Sequence, residues 1–333
     1  MREPPGLPVE QLVRCLHDAY GLKVAELAFL PLGNDAAAGV YRVQSGAGSA
    51  YFVKVKRGAI AEISVRLPYY LHQQGMDAAA APLPTREQTL WQMVEGYTVI
   101  VYPFITGQMG SVVGLSDSQW TAFGRCLKAL HLTELPPDLR RLVPQEAFML
   151  NPGWMLVISR VAATYMQTFS HSVQRELARF WRGKWAEIRH VLRRAATLGQ
   201  ALQRQPLARR LCHADIHTSN VLVSPDGQLF FVDWDQPIFA PPERDLMFVV
   251  DDPAAPSPAV QAFFHGYGET SVNPLALDYY RVEWAVQEIS DYAERVFFLP
   301  DVSDATRQES LEEFIRLFEA GHEIDAALYQ TLT

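Results

Sequence analysis

CHADIHTSN, residues 212–220, sets three groups that bind metals or move protons, His213, Asp215 and His217, at alternate positions and closes on Asn220. Such a stretch can serve three chemistries. Alternating residues of an extended segment share a face, so the triad could hold zinc or a metal pair in a hydrolase. Cys212 could act as a nucleophile. Asp215 and Asn220 could also be the acid and amide of a site that handles phosphoryl groups. A metal hydrolase needs further His or Asp ligands, and the chain offers no clear second cluster. Cys212 reads better as a core residue, because a free cysteine behaves as a small hydrophobe. The residues that follow favour the third chemistry.

Asn220 is followed by VLVS, PDGQ and LFFVDWD, residues 221–235. Asp226-Gly227 between two apolar runs is a strong hairpin signal. With those two residues as the turn, Val223 faces Phe230, Val221 faces Val232 and Asn220 faces Asp233. An amide and a carboxylate then stand side by side just beyond Asp215. A hard cation such as Mg²⁺ takes a few oxygen ligands from protein and leaves its other positions to water and phosphate oxygens. Asn220 and Asp233 are the expected ligands, and Asp215 is left to face a substrate hydroxyl.

The chain has 333 residues and is 49% hydrophobic, enough for a sizeable core and for two domains or lobes. It carries 29 Lys and Arg against 37 Asp and Glu, a formal charge of −8. That balance disfavours nucleic acid and anionic membrane as partners and favours cations. The Arg-rich stretch 175–194 is interrupted by Glu176 and Glu187 and reads as a solvated helix face. Cys15, Cys126 and Cys212 are too few and too far apart for a disulfide framework. The opening MREPPGLPVE has no apolar run of the targeting kind. The longest apolar runs, such as Tyr97 to Ile105, are too short to cross a bilayer. The expectation is a soluble cytoplasmic protein.

Leu12, Val13, Leu16 and Tyr20 predict a helix over 9–20 that ends at Gly21. Apolar runs at about 24–32, 39–45 and 50–56, parted by GNDAAAG (33–39) and SGAGS (45–49), predict an antiparallel meander. A helix near 59–74 and a hairpin turning at Glu95-Gly96 follow. The expected product is a five-stranded antiparallel sheet with one helix inserted after the third strand. Past residue 106 the pattern turns helical. Ser116-Asp117-Ser118-Gln119 is a capping box, and Trp120, Phe123, Leu127 and Leu130 continue it as a stripe. Helices over 154–204, strands around 211–233 and helices beyond 243 complete the chain, with DDPAAPSPA (251–259) as a loop.

His213-x-Asp215-x4-Asn220, with Asp233 after a short hairpin, resembles the catalytic and metal-binding motifs of the protein-kinase-like fold. His213-Ala214-Asp215 lacks the arginine of the His-Arg-Asp form, and no Ala-Pro-Glu segment follows. This version resembles the aminoglycoside phosphotransferase family. LCHADIHTSNVLV (211–223), FVDWDQP (231–237) and APPERDLMFV (240–249) are most similar to its spectinomycin phosphotransferases. YFVKVK (51–56), VYPFITG (101–107) and FFHGYGE (263–269) extend the resemblance over nearly the whole chain.

The resemblance implies an α+β, protein-kinase-like two-lobe fold. Its N-lobe, 1–105, would bind nucleotide on the five-stranded sheet, and a mainly helical C-lobe, 106–333, would carry the catalytic loop and the substrate. The implied reaction is Mg²⁺-dependent transfer of the γ-phosphoryl group of ATP, or GTP, to a hydroxyl of an aminocyclitol or aminoglycoside, spectinomycin first. Lys54 matches the lysine that grips the nucleotide phosphates and Glu62 its ion-pair partner. Lys56, on the same strand face, is a rival to Lys54. Gly33 and Gly39 are what remains of the glycine-rich loop, and Pro103, Phe104 and Ile105 match the connector that reads adenine. Asp215 would orient the acceptor, Asn220 and Asp233 would hold Mg²⁺, and His213, Arg244 and Asp245 would brace the loop. The missing arginine beside Asp215 removes a usual reader of activation-loop phosphate, which implies a constitutively assembled enzyme.

A small cationic, hydroxylated acceptor calls for carboxylates. Asp235 is the first candidate, followed by Glu283, Glu288 and Asp291 on a helix of about 277–297, the last two sharing a face. Two alternatives stand beside this reading. One is a kinase of the same fold acting on choline, homoserine or a sugar. The other is a non-catalytic nucleotide-binding module, which fits poorly with Lys54, Asp215, Asn220 and Asp233 all present.

Overall fold

The structure is a computed structural model that describes residues 4–33, 38–251, 256–300, 302–322 and 324. In chain order it contains α1 (Val9–Tyr20), β1 (Val24–Leu30), β2 (Ala38–Ser45), β3 (Ala50–Arg57), α2 (Ile63–Gln73), β4 (Gln92–Val94) and β5 (Tyr97–Pro103). Next come β6 (Gln108–Met109), α3 (Gly110–Val113), α4 (Asp117–Leu132), α5 (Pro137–Arg140), α6 (Pro152–Thr164) and α7 (Ser172–Leu202). The chain then runs through β7 (Arg210–Cys212), β8 (Val221–Val223), β9 (Leu229–Phe231), β10 (Ile238–Ala240), α8 (Glu243–Leu246), α9 (Pro258–Tyr267), α10 (Pro274–Phe297) and α11 (Asp304–Arg316). These elements form two compact units, residues 1–145 with 209–270 and residues 146–208 with 271–333.

The first unit holds the five-stranded sheet, in the order β1-β2-β3-β5-β4 with every neighbour antiparallel. The fold class read from the sequence is the one observed. Strand alternation decides what each face does. Val53, Val55, Val99 and Val101 are buried together with Leu12 and Leu16 of α1. Residue 54 pairs with Ile100, which packs on Val65 of α2. Lys54 and Lys56 therefore project from the face opposite α1.

The capping box of α4 forms as expected: the Gln119 amide donates to Ser116 Oγ at 3.3 Å, and the Ser116 amide donates to Gln119 Oε1 at 2.9 Å. Phe123, Leu127 and Leu130 are buried, and α4 packs closely on α9. Two glycines permit that approach. A Cβ on Gly124 would run into the Phe263 carbonyl, and one on Gly266 into the Thr121 carbonyl. The crossing brings His131, in the last turn of α4, within 2.7 Å of the Tyr267 hydroxyl at the end of α9. Gly266→Ala should force the helices apart and lower stability by about 1–3 kcal/mol, the usual penalty of overpacking. Urea denaturation reads this directly, and an unchanged midpoint would count against so tight a crossing.

The second unit has its own core. α7 and α10 face each other through Trp181, Ile188, Val286 and Ile289, with α6 and α11 adding Val161 and Phe314. Trp181 is fully buried and stacks on Trp185 and Phe314. Glu288 and Asp291 lie half-buried on α10. Glu283 is buried and accepts a hydrogen bond from Tyr279 at 3.0 Å. No helix among the described residues is long and apolar enough to cross a membrane.

Candidate active site

After β7 the chain turns sharply through His213, Ala214 and Asp215. Ala214 takes a left-handed φ of 71°, a conformation that costs an ordinary L-residue about 1 kcal/mol or more. Asp245 holds it there. Its fully buried carboxylate accepts from the amides of His213 at 3.0 Å and Ala214 at 2.7 Å. His131 Nε2 donates a third bond at 2.9 Å, and His131 Nδ1 accepts from the Tyr267 hydroxyl at 2.7 Å. Burial alone would raise the Asp245 pKa, but His131 and these amides hold it below the ordinary carboxylate value. Arg244 is also buried and lies 4.0 Å from Met247 Sδ. His131, Cys212 and Asp245 converge within 4.8 Å, yet three N–H donors already occupy the carboxylate and burial pushes the Cys212 thiol far up. The cluster reads as a brace, not as a metal or nucleophile site.

His213 ties the loop to the next strand. Its buried ring donates from Nε2 to the Val232 carbonyl at 3.0 Å, accepts the Asp215 amide on Nδ1 at 3.3 Å and lies 4.4 Å from the Trp234 ring. Burial pushes its pKa below the ordinary 6.5, and half-buried His217 shifts the same way for the same cause. The fold therefore favours neutral rings. Stability is full above pH 6.5 and falls as pH drops through that value, because the unfolded chain takes up the protons first. The melting temperature should decline from about pH 7 toward about pH 5.5, and His213→Gln should flatten part of that decline. A flat profile in the wild type would contradict this assignment.

Asn220 Nδ2 donates to the Asp215 carbonyl at 2.7 Å and to Asp215 Oδ2 at 2.9 Å. His217 Nε2 stands 3.5 Å from Asp215 Oδ1. The amide nitrogen of Asn220 thus orients Asp215, and its amide oxygen is the group that can meet a cation.

The hairpin register differs by one residue from the expected one. Val221 pairs with Phe231, Leu222 with Phe230 and Val223 with Leu229. Pro225 is the reason. Its fixed φ suits the second position of a type I turn, so the turn starts at Ser224, and only Gly227 of the expected pair takes a positive φ, 84°. Gly227 N donates to Ser224 O at 2.9 Å and Ser224 N to Gln228 O at 3.0 Å, closing a three-residue loop. Asn220 consequently faces Val232, whose amide donates to the Asn220 carbonyl at 3.0 Å. Asp233 comes one residue later, with its own left-handed φ of 60°.

Lys54 gathers the acids. Its ammonium lies 3.3 Å from Asp233 Oδ1 and 3.0 Å from Asp235 Oδ2, and Lys56 reaches the same Asp235 oxygen at 3.2 Å. Burial works against the Lys54 charge, but Asp233 and Asp235 outweigh it and push its pKa up. Burial likewise disfavours the Asp235 carboxylate, and Lys54 and Lys56 outweigh it and hold its pKa down. Two expectations are corrected here. Glu62 is not the partner of Lys54: it is the N-cap residue of α2 and pairs with Arg66 at 3.5 Å, since the helix starts at Ile63 and leaves Glu62 at its exposed end. Asp235, expected to face a cationic acceptor, instead lies against Lys54 and Lys56.

Of the loop 33–39, residues 34–37 lie outside the described residues; Gly33 has φ 85°. Gly39 sits inside β2, where a Cβ would meet Pro5 at 2.6 Å, so packing accounts for its small size. Pro103 ends β5, the Phe104 amide is taken by the Ala50 carbonyl at 3.1 Å, and the Ile105 amide has no hydrogen-bond partner among the described residues. His131 and Tyr267 escaped the sequence reading. The only local signal was a histidine four residues after Leu127 on a buried helical stripe.

Residues 28–282 match the profile of the phosphotransferase enzyme family, and the chain belongs to that family. Its fold is similar to that of the spectinomycin phosphotransferase APH(9)-Ia in complex with ADP and spectinomycin. That match has a TM-score of 0.84 and 28% identity and covers 98% of this chain and 99% of the other. Protein StrN of Streptomyces griseus is 26% identical over 302 residues, 87% of this chain and 85% of that protein. Amicoumacin kinase hAmiN, solved with AMP-PNP, Ca²⁺ and Ami, shares the fold at TM-score 0.58 and 16% identity, over 94% of each chain. The architecture is thus protein-kinase-like.

Proposed function

We propose that the chain transfers the γ-phosphoryl group of ATP, or GTP, to a hydroxyl of a small cationic aminocyclitol of the spectinomycin class. One continuous frame supports this reading. Asn220 holds Asp215 at 2.9 Å, its carbonyl receives the Val232 amide at 3.0 Å, and the next residue, Asp233, reaches Lys54 at 3.3 Å. An acceptor-side carboxylate and a phosphate-side cation are thereby fixed to a single hairpin.

In the proposed reaction Asp215 accepts a hydrogen bond from the acceptor hydroxyl and takes its proton late. A new acceptor O–P bond forms as the bond from the γ-phosphorus to the bridging oxygen of ADP breaks. The transition state is loose, so positioning and charge neutralisation carry most of the rate. Lys54 and Lys56 supply positive charge to the phosphates. The Asn220 amide oxygen and the Asp233 and Asp235 carboxylates are hard oxygen donors of the kind Mg²⁺ takes, and Mg²⁺ held there would neutralise phosphate charge. Pro103 and Ile105 at the connector offer a carbonyl and an amide for the nucleobase. The 28% identity to a protein solved with ADP and spectinomycin supports the acceptor class. We propose Glu288 and Asp291 as carboxylates that take the acceptor's ammonium groups. The test is ADP release by purified protein with Mg-ATP over spectinomycin, kanamycin, choline and homoserine. Turnover of spectinomycin is expected; turnover of choline or homoserine without spectinomycin would overturn the acceptor class and leave phosphotransfer standing.

A further inference from the structure

Two acids, Glu176 and Glu187, interrupt the arginines of α7 along the chain, but most of those arginines line one exposed face of the helix. Arg175, Arg179, Arg182, Arg189 and Arg193 are all exposed. At about 100° per residue they fall within an arc of roughly 80°, and at 1.5 Å per residue the row is about 27 Å long. Ala186 fills the gap on the same line. Glu187 is drawn aside to Lys184 at 2.9 Å, and Arg194 is bonded to Asp278 at 2.7 Å. Glu176 is exposed about 60° round the helix from the nearest arginine of the row, Arg179. The opposite face, with Leu177, Trp181, Ile188 and Val191, is in the core.

None of the five arginines pairs with a carboxylate among the described residues. Arg175 donates to the Phe169 carbonyl at 3.0 Å, Arg182 to the Tyr165 carbonyl at 3.4 Å and Arg193 to the Arg189 carbonyl at 3.2 Å, while Arg189 lies 5.6 Å from the Trp185 ring. Residues 146–208 hold nine Lys and Arg against three Glu and no Asp, in a chain whose overall charge is −8.

We propose that this face of α7 binds the phosphate backbone of a nucleic acid without reading its bases. Guanidinium forks match phosphate oxygens in pairs. A nucleic-acid strand presents one charge per ~3.4 Å, so a row of about 27 Å faces roughly eight phosphates. Gly183, Ala186 and Thr197, within and beside the row, carry no ring; half-buried Trp185, 5.6 Å from Arg189, and exposed Met166, next to the Tyr165 carbonyl that Arg182 reaches, lie at its flank. At physiological ionic strength charges beyond about 8 Å are screened, so the local row and not the net charge governs contact. This proposal does not depend on the phosphotransfer reading.

The test is fluorescence anisotropy of labelled single- and double-stranded RNA and DNA with the full chain at low and moderate salt. Wild type should bind all four with a steep salt dependence. The triple variant Arg179→Gln, Arg189→Gln, Arg193→Gln should bind at least ~10-fold more weakly, and its log–log salt slope on duplex should fall by about 2–3. The matching triple lysine variant should stay within a few-fold of wild type. Circular dichroism melts should be unchanged in both. Absence of binding at low salt, or equal binding by the glutamine variant, overturns the proposal. So does arginine-dependent binding to phosphatidylserine vesicles without binding to nucleic acid, which would assign the face to a lipid surface.

Discussion

Asp215→Asn is expected to lower turnover by about 10²–10⁴-fold, the range lost with a general base, and to leave nucleotide affinity nearly intact. The substitution keeps the shape of the side chain and one oxygen for Asn220 Nδ2, which now donates to Asp215 Oδ2 at 2.9 Å. It removes the charge that orients the acceptor hydroxyl and receives its proton. Nucleotide affinity is spared because the phosphate-side groups, Lys54, Asp233 and Asp235, bond one another and not Asp215. Initial rates under saturating acceptor, with titration of a non-hydrolysable nucleotide, measure both halves. Activity within a few-fold of wild type would remove Asp215 from its role.

The second large effect lies behind the site. Asp245→Ala leaves three buried donors without an acceptor: the amides of His213 and Ala214 and Nε2 of His131. Each such orphan costs about 1–3 kcal/mol, so a loss of about 3–5 kcal/mol in unfolding free energy is expected after partial relaxation. Ala214 would also lose the bond that holds its left-handed backbone, so kcat should fall even where the variant remains folded. Tyr267→Phe removes only the outer hydroxyl on His131 and should lower stability by about 1 kcal/mol. Urea denaturation of both variants with kcat measured in parallel tests the brace. Equal, small losses would mean that the network does not carry the loop.

Much of this site is legible in the chain because its parts are local. Asp215, Asn220 and Asp233 flank one β-hairpin within 19 residues of chain, and strand alternation alone puts Lys54 and Lys56 on one face. The misreadings also have local causes. Asp226-Gly227 carried the turn in the sequence reading, whereas Pro225 sets where the turn begins, and one residue of slip moved Asn220 from Asp233 to Val232. Glu62 was placed within a helix that starts one residue later. For Asp235 the cause is distant: along the chain it reads as a free carboxylate, and Lys54 and Lys56 meet it across about 180 residues. His131 and Tyr267 are joined by a helix crossing that two glycines allow, a contact that no spacing rule along the chain records.

In the proposed reaction a hydroxyl of a spectinomycin-class acceptor takes the γ-phosphoryl group at Asp215. Phosphorus NMR of purified protein with Mg-ATP and spectinomycin tests it most directly. A new phosphomonoester resonance on the antibiotic is expected, growing in step with ADP and lost in Asp215→Asn. Conversion of ATP to ADP and inorganic phosphate alone, or a phosphomonoester formed equally well by Asp215→Asn, would contradict it.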